Sequence, residues 1–311
     1  MVPTLPPAAV PKSKVVSMRD AIARFVHDGD TVVIEGFTHL ICFAAGHEII
    51  RQKRRDLVLC RLTPDIIYDQ MIAAGCARKL VFSWAGNPGV GSLHAFRRAV
   101  EAGAPPLEIE EYSHFGMVAR FSAGAAHLPF WPLRDYQGTD IPVANPRIAQ
   151  VQCPFTGESL AAVPALNPDV TIVHAQRADA EGNAQIWGLL GVQTEAAFAS
   201  KHVIVVVEEL VETSIVRADP NRTLIPGMIV DAVVVEPWGA HPSYSQGHYD
   251  RDNDFYVAWE DISRDPKLLA AYLDEYVMRV KDRAEYLTLH PGLTERLAAR
   301  AMMCEGVNYG Y

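Results

Sequence analysis

Thr31-Val32-Val33-Ile34-Glu35-Gly36-Phe37-Thr38-His39-Leu40-Ile41 is the stretch on which the fold turns. Its first four residues are a short run of β-branched side chains with no polar alternation. That suits a strand covered on both faces better than one with a face in water. Gly36 stops the run. Upstream, Ser17-Met18-Arg19-Asp20 has the form of a capping box with Asp at the fourth position. Ala21, Ile22, Phe25 and Val26 then follow at helical spacing, and Asp28-Gly29-Asp30 closes the helix.

The same alternation recurs downstream. Leu57–Cys60 and Lys79–Trp84 read as strands, with a helical stretch near Tyr68–Ala74 between them. A helix is expected from Ser92, as N-cap, through His94, Phe96, Arg97 and Val100 to Gly103 at C′. Further strands are expected at Asp169–His174, His202–Val207 and Ile229–Val235, while Leu133–Pro154 reads as loop. Continuous apolar strands separated by helices predict an α/β fold. The sheet is mostly parallel and open, with helices on both faces. Leu268, Leu269, Tyr272, Leu273, Tyr276, Val277 and Val280 add a helical C-terminal cap from about residue 267, broken at Pro291-Gly292. A single domain over residues 15–311 is expected, preceded by a disordered lead-in over residues 1–14.

Composition excludes several function classes. The 311 residues carry 28 basic and 37 acidic side chains, a net charge of −9, which repels a phosphate backbone and argues against a nucleic-acid binder. No apolar stretch approaches the roughly 18–20 residues that span a bilayer. The Pro-rich start, Met1 to Pro11, lacks the basic and apolar regions of a secretory signal. The five cysteines (Cys42, Cys60, Cys76, Cys153 and Cys304) are scattered and never form a C-x-x-C pair, so free thiols in a reducing cytoplasm are expected.

Several chemical motifs fail on inspection. No histidine pair has zinc spacing, so no metal site is expected, and no G-x-S-x-G elbow is present. Asp250-Arg251-Asp252-Asn253-Asp254 imitates a calcium loop but has Phe255 where Gly is required, and reads as a solvated acidic turn. Gly86-Asn87-Pro88-Gly89-Val90-Gly91-Ser92 lies between a strand and a helix without a Walker lysine or a completed G-x-G-x-x-G. Such a turn suits an anion, a developing oxyanion or a purely structural role. Glu35, at the carboxyl end of a buried strand, is either a ligand-facing group or an ordinary exposed carboxylate.

Taken together, certain stretches resemble the A (α) subunits of family I CoA-transferases. They are Glu35–Ile41, Lys79–Trp84, Gly86–Ser92, Glu111-Tyr112-Ser113-His114, Leu128-Pro129-Phe130 and Cys153–Glu158. His174-Ala175-Gln176, Gly182-Asn183, Ile186-Trp187-Gly188, Val207-Glu208-Glu209, Gly239–Ser243 and Tyr249–Asn253 continue it. The likeness runs over roughly residues 15–290. Its N-terminal half looks closer to the 3-oxoadipate subgroup, and much of its C-terminal half is shared with glutaconate enzymes. Leu40-Ile41-Cys42 stands where many α chains carry Arg-Lys-Pro, and Pro88 where glutaconate enzymes have Ser.

The resemblance implies transfer of CoA from a donor such as succinyl-CoA to a dicarboxylic or β-keto acid, with 3-oxoadipate expected. The nucleophile would be a glutamate in a Ser-Glu-Asn-Gly type motif of a partner B subunit. That motif is absent here, Cys304-Glu305-Gly306 being the nearest approach, so no catalytic nucleophile is expected in this chain. No cofactor is implied, since coenzyme A enters as a substrate thioester. By the resemblance, Gly36, Phe37 and Thr38 face the cleft, and Asn87, Gly89, Val90 and Gly91 shape a second loop near the reacting carbonyl. His114 contacts a substrate carboxylate or keto group, or packs behind one. Alternatives are a CoA-thioester hydrolase, a carbon–carbon lyase on the same scaffold, a glutaconate-type transferase, or a ligand-sensing domain. The hydrolase reading expects an acid at position 114, and the sensing domain a helix-turn-helix that the first 16 residues do not supply.

Overall fold

The computed structural model describes residues 13–103 and 105–299. Most of the expected lead-in and the Cys304-Glu305-Gly306 segment lie outside the described residues. Lys14 is tied down, its main-chain N–H donating to the Ala180 carbonyl at 2.9 Å and its ammonium to the Gly227 carbonyl at 2.6 Å.

The chain begins α1 (Met18–Phe25), β1 (Thr31–Glu35), α2 (Phe43–Arg51), β2 (Leu57–Cys60), α3 (Ile66–Ala73) and β3 (Ala77–Phe82). It continues α4 (His94–Ala102), β4 (Glu108–Glu111), α5 (His114–Ala125), β5 (Phe130–Leu133), α6 (Ile141–Ala144), β6 (Ala149–Gln152) and β7 (Ser159–Pro164). Then come β8 (Val170–Ala178), β9 (Ala184–Gln185), α7 (Gln193–Ala199), β10 (His202–Leu210), α8 (Thr213–Ala218), β11 (Thr223–Ile225) and β12 (Ala232–Val235). The chain closes with α9 (Asn253–Arg264), α10 (Pro266–Leu273), α11 (Arg283–Thr288) and α12 (Leu293–Leu297).

Nine strands form the main sheet, parallel in the order β12-β10-β8-β1-β2-β3-β4, with β9 and β11 added antiparallel beyond the end of β1. Both faces are dry. Val32, Ile34, Leu57, Leu59, Leu80, Val170, Ile172, Ile204 and Val206 pack against α1–α4, α9 and α10. The opposite face presents Val33, Cys60 and Val81 to α5, α7 and β7. This accounts for the absence of polar alternation in the sequence. Ser17 caps α1 as expected, accepting from the Asp20 N–H at 3.1 Å and donating to its carboxylate at 2.7 Å.

Four expectations change. Leu133–Pro154 is not simply loop, because it holds α6, β6 and the end of β5, and β5-β7-β6 form a small antiparallel sheet. These strands are short and their outer residues exposed, so no apolar run announces them. The cap of α4 is Leu93 rather than Ser92, whose N–H is taken by the Glu260 carboxylate at 3.2 Å. The helical cap starts at Asn253, not near residue 267, since Asp252 caps α9 by accepting the Phe255 N–H. Asp252 is therefore not a solvated turn residue: it is buried and pairs with His241 at 3.0 Å and Arg296 at 2.9 Å.

Candidate functional site

Ligand crevices in open parallel sheets form at strand carboxyl ends where the winding direction reverses. Here the chain winds from β1 through β2 and β3 to β4, then returns to β8 on the other side of β1. That switch point lies at Glu35, and the loop leaving it is Gly36-Phe37-Thr38-His39-Leu40. Gly36 is required by contact, because a Cβ there would sit 2.6 Å from the Leu40 carbonyl oxygen and 2.7 Å from that of His39. Thr38 and Leu40 lie in the left-handed region at φ 56° and 55°. A β-branched residue is costly there and marks a conformation held by its surroundings. The holding groups are visible. The Ser243 hydroxyl donates to the Thr38 carbonyl at 2.9 Å, and the Leu40 N–H to the Tyr244 carbonyl at 2.9 Å. His39 donates from Nδ1 to the Leu189 carbonyl and accepts the Gln246 N–H at Nε2, both at 3.0 Å. Burial lowers the His39 imidazole to about 4, so it serves this link as the neutral form.

The second loop is a tight turn after β3. Asn87 N–H donates to the Gly91 carbonyl at 2.9 Å and Gly91 N–H returns to the Asn87 carbonyl at 3.1 Å. The Asn87 side chain faces inward, donating to the Tyr256 carbonyl at 2.7 Å, while its buried Oδ1 has no partner among the described residues. Gly89 takes φ +76°, and a Cβ at Gly91 would meet the Glu260 carboxylate at 2.6 Å. Arg251 donates to the Pro88 carbonyl at 2.8 Å. The turn is thus bolted to α9, leaving Val90 exposed at its tip.

His114 opens α5 and is the third element of the rim. Its ring meets Phe37 edge-on at 6.2 Å between centroids, and Nδ1 lies 2.9 Å from the Ser83 hydroxyl. Of the residues expected at the site, Phe37 and His114 are thereby brought together. The Asn87–Gly91 turn stands beside them on the same edge of the sheet. Sequence reasoning missed Ser83, Leu189, Ser243 and Glu260. Ser243 and Ser83 sit inside quoted stretches, while Glu260 lies in a helix with no distinguishing local pattern.

Glu35 is not an exposed carboxylate. It is about 1% exposed, with the backbone N–H groups of Gly36 and Val192 beside its carboxyl, and its Oε2 has no partner among the described residues. Burial pushes its carboxyl up to about 7, against the opposing pull of Arg61. Arg61 is equally buried, pairs with Asp65 at 3.1 Å, and donates to the Gly36 carbonyl. This ionic cluster underpins the first loop. Among the described residues no group of three His, Cys, Asp or Glu side chains is placed to hold a metal ion, and no helix is long and apolar enough to cross a membrane.

Comparison with known proteins agrees with this geometry. The coenzyme A transferase family profile matches residues 15–236. The chain is 54% identical over 275 residues to the A (α) subunit of 3-oxoadipate CoA-transferase from Pseudomonas knackmussii, covering 88% of this chain and 97% of that one. It is 36% identical over 293 residues to the A (α) subunit of glutaconate CoA-transferase from Acidaminococcus fermentans, covering 88% and 91%. The crystal structure of the Acidaminococcus fermentans glutaconate enzyme superposes with a TM-score of 0.87 at 34% identity, over 93% of this chain and 96% of that one.

Proposed function

This chain belongs to the coenzyme A transferase family and is a CoA-transferase subunit, and we propose that its reaction moves CoA from succinyl-CoA to 3-oxoadipate. The observation that carries the choice of acid is the 54% identity to a 3-oxoadipate subunit, spanning 97% of that protein, against 36% for the glutaconate subunit. Both relatives are named as the A member of a set of subunits, which supports a B subunit partner seated on the open rim of strand ends.

The nucleophile in this reading is a glutamate of that partner. Glu35, the carboxylate nearest the cleft loops, supports it by being unsuited: it has no exposed surface and its carboxyl is pushed up to about 7. A carboxyl shut away from the cleft is a poor nucleophile. What this chain supplies is a wall. The Gly36–Thr38 loop and the Asn87–Gly91 turn hold backbone groups rigidly around the reacting carbonyl, and Phe37, Val90 and Trp84 keep water from an activated thioester. The buried thiols of Cys42, Cys60 and Cys76 suit a reducing compartment, in keeping with a cytoplasmic enzyme.

The test is intact-mass spectrometry after brief exposure to succinyl-CoA, of this chain alone and with the B chain. The expected result is a CoA-sized adduct on the partner only, discharged by 3-oxoadipate. An adduct on this chain would overturn the division of labour. Release of free CoA with no adduct would replace transfer by thioester hydrolysis.

A further inference from the structure

We propose that His114 is the specificity-determining group for a dicarboxylic substrate. Its Nε2–H takes the carboxylate remote from the CoA attachment, and Ser83 is the positioning residue that fixes the ring for it. This rests on the functional reading above and names the part of the substrate that the rim recognises.

The tautomer follows from counting protons. Ser83 has one hydroxyl proton, and it is committed to the Leu62 carbonyl at 2.7 Å, a group that can only accept. The contact of 2.9 Å between Ser83 Oγ and His114 Nδ1 must then be donated by the imidazole. Nδ1 carries a proton whether the ring is neutral or charged, and the one exchangeable proton sits on Nε2. Phe37 edge-on prevents the ring from turning away. Of the rim side chains reaching solvent nearby, Phe37, Trp84, Val90 and Phe115 are apolar, and Glu111 is an exposed carboxylate. A hydrogen-bond donor held among these apolar neighbours discriminates a second carboxylate from a methyl end.

Binding an anion there draws a proton from solvent onto Nε2, giving a charge-assisted N–H···O bond. With the ring neutral, the Nε2 lone pair repels the carboxylate. The charged and titratable groups around the ring are Glu111 and Tyr112 at the end of β4, Asp135 and Tyr136 held to Ser113, and Glu35 and Arg61 beneath the Phe37 loop. None of them reaches His114 Nε2 by a hydrogen bond.

The experiment uses the complex formed with the B chain, supplied with chain-matched acids. The acceptors are 3-oxoadipate and 3-oxohexanoate, which differ only in the remote carboxylate. Succinyl-CoA and butyryl-CoA form the matching donor pair. In a ping-pong reaction, kcat/KM for each acceptor reports its own half-reaction. His114→Gln is expected to lower kcat/KM for 3-oxoadipate about 10- to 100-fold more than for 3-oxohexanoate, the range of a charged hydrogen bond. Ser83→Ala is expected to raise KM for 3-oxoadipate about 5- to 20-fold with little change in kcat, and Ser83→Thr, which keeps the hydroxyl, to restore it. Equal losses on both acids would overturn the proposal. If neither acceptor is used, the choice of 3-oxoadipate fails by itself. The donor pair then decides, because formation of the partner adduct from succinyl-CoA but not butyryl-CoA must weaken in His114→Gln.

Discussion

A carboxyl group shut away from water, beside two backbone N–H groups and facing a buried guanidinium, makes the stability of this chain depend on pH at one residue. The Glu35 carboxyl is lifted from 4.5 to about 7, chiefly by burial. The native state therefore keeps its proton between those values while the unfolded state loses it, and stability falls as pH rises through that window. At 1.36 kcal/mol per unit the loss amounts to about 3 kcal/mol between pH 4.5 and 7. Glu35→Gln has no proton to lose. The stability difference between wild type and variant, from urea unfolding at a series of pH values, should shift by that order in favour of the variant and level off above pH 7. A difference independent of pH would mean that Glu35 is ionised in the fold. Gly36 makes a sharper demand, since an added methyl meets two carbonyl oxygens that belong to the strained loop. Gly36→Ala is expected to lower kcat at least about 10-fold, because small displacements of a site are costly in rate. The readout is steady-state CoA transfer with the assembled enzyme.

Between elements, the decisive links are side chains that join distant stretches of chain. Glu260 on α9 accepts the Ser92 N–H at 3.2 Å and bonds His94 at 3.0 Å and Arg264 at 2.6 Å, so one carboxylate ties the Asn87–Gly91 turn and α4 to the C-terminal helices. Glu260→Ala removes the acceptor without touching the core. Hydrogen exchange at residues 87–93 should quicken about 10-fold or more, while the β1 and β8 amides stay protected. Quickening everywhere would mean general destabilisation instead. Such links also mark what could be read from sequence. The strands β1, β2, β3, β8 and β10 announce themselves because both their faces are dry, and Ser17 and Gly103 because their capping chemistry is local. The small sheet was hidden, its strands of four to six residues having outer side chains exposed and Pro132 in their midst. At the site, Gly36, Phe37 and the turn were legible as a strand end and a glycine-rich loop. Ser83 against His114, 31 positions apart, and Glu260 against Ser92, 168 apart, were not, since only the folded sheet brings those pairs together.

At the scale of the whole molecule, one group of exposed apolar side chains stands out from the scattered ones. Phe155, Val143 and Met228 are highly exposed and stand apart from one another in the chain, the ordinary condition of a protein surface. Trp84, Val90, Phe115, Leu189 and Leu190 all lie on segments bordering the carboxyl edge of the sheet around the switch point. An apolar rim of this kind marks an interaction surface, and in the proposed function its occupant is the B subunit. Trp84 is the residue to test, because it is 47% exposed, the most open of the five tryptophans, and folds against the backbone of Gly86. Large aromatic anchors at the centre of interfaces carry about 2 kcal/mol or more, so Trp84→Ala should weaken the complex with the B chain roughly 30-fold. Titration calorimetry gives the constant, and fluorescence gives the location: wild-type emission should shift to the blue on mixing, and the shift should vanish in the variant. Unchanged affinity in Trp84→Ala would move the interface away from this edge. The partner glutamate of the proposed reaction would then have no path to the loops that Gly36, Asn87 and His114 build.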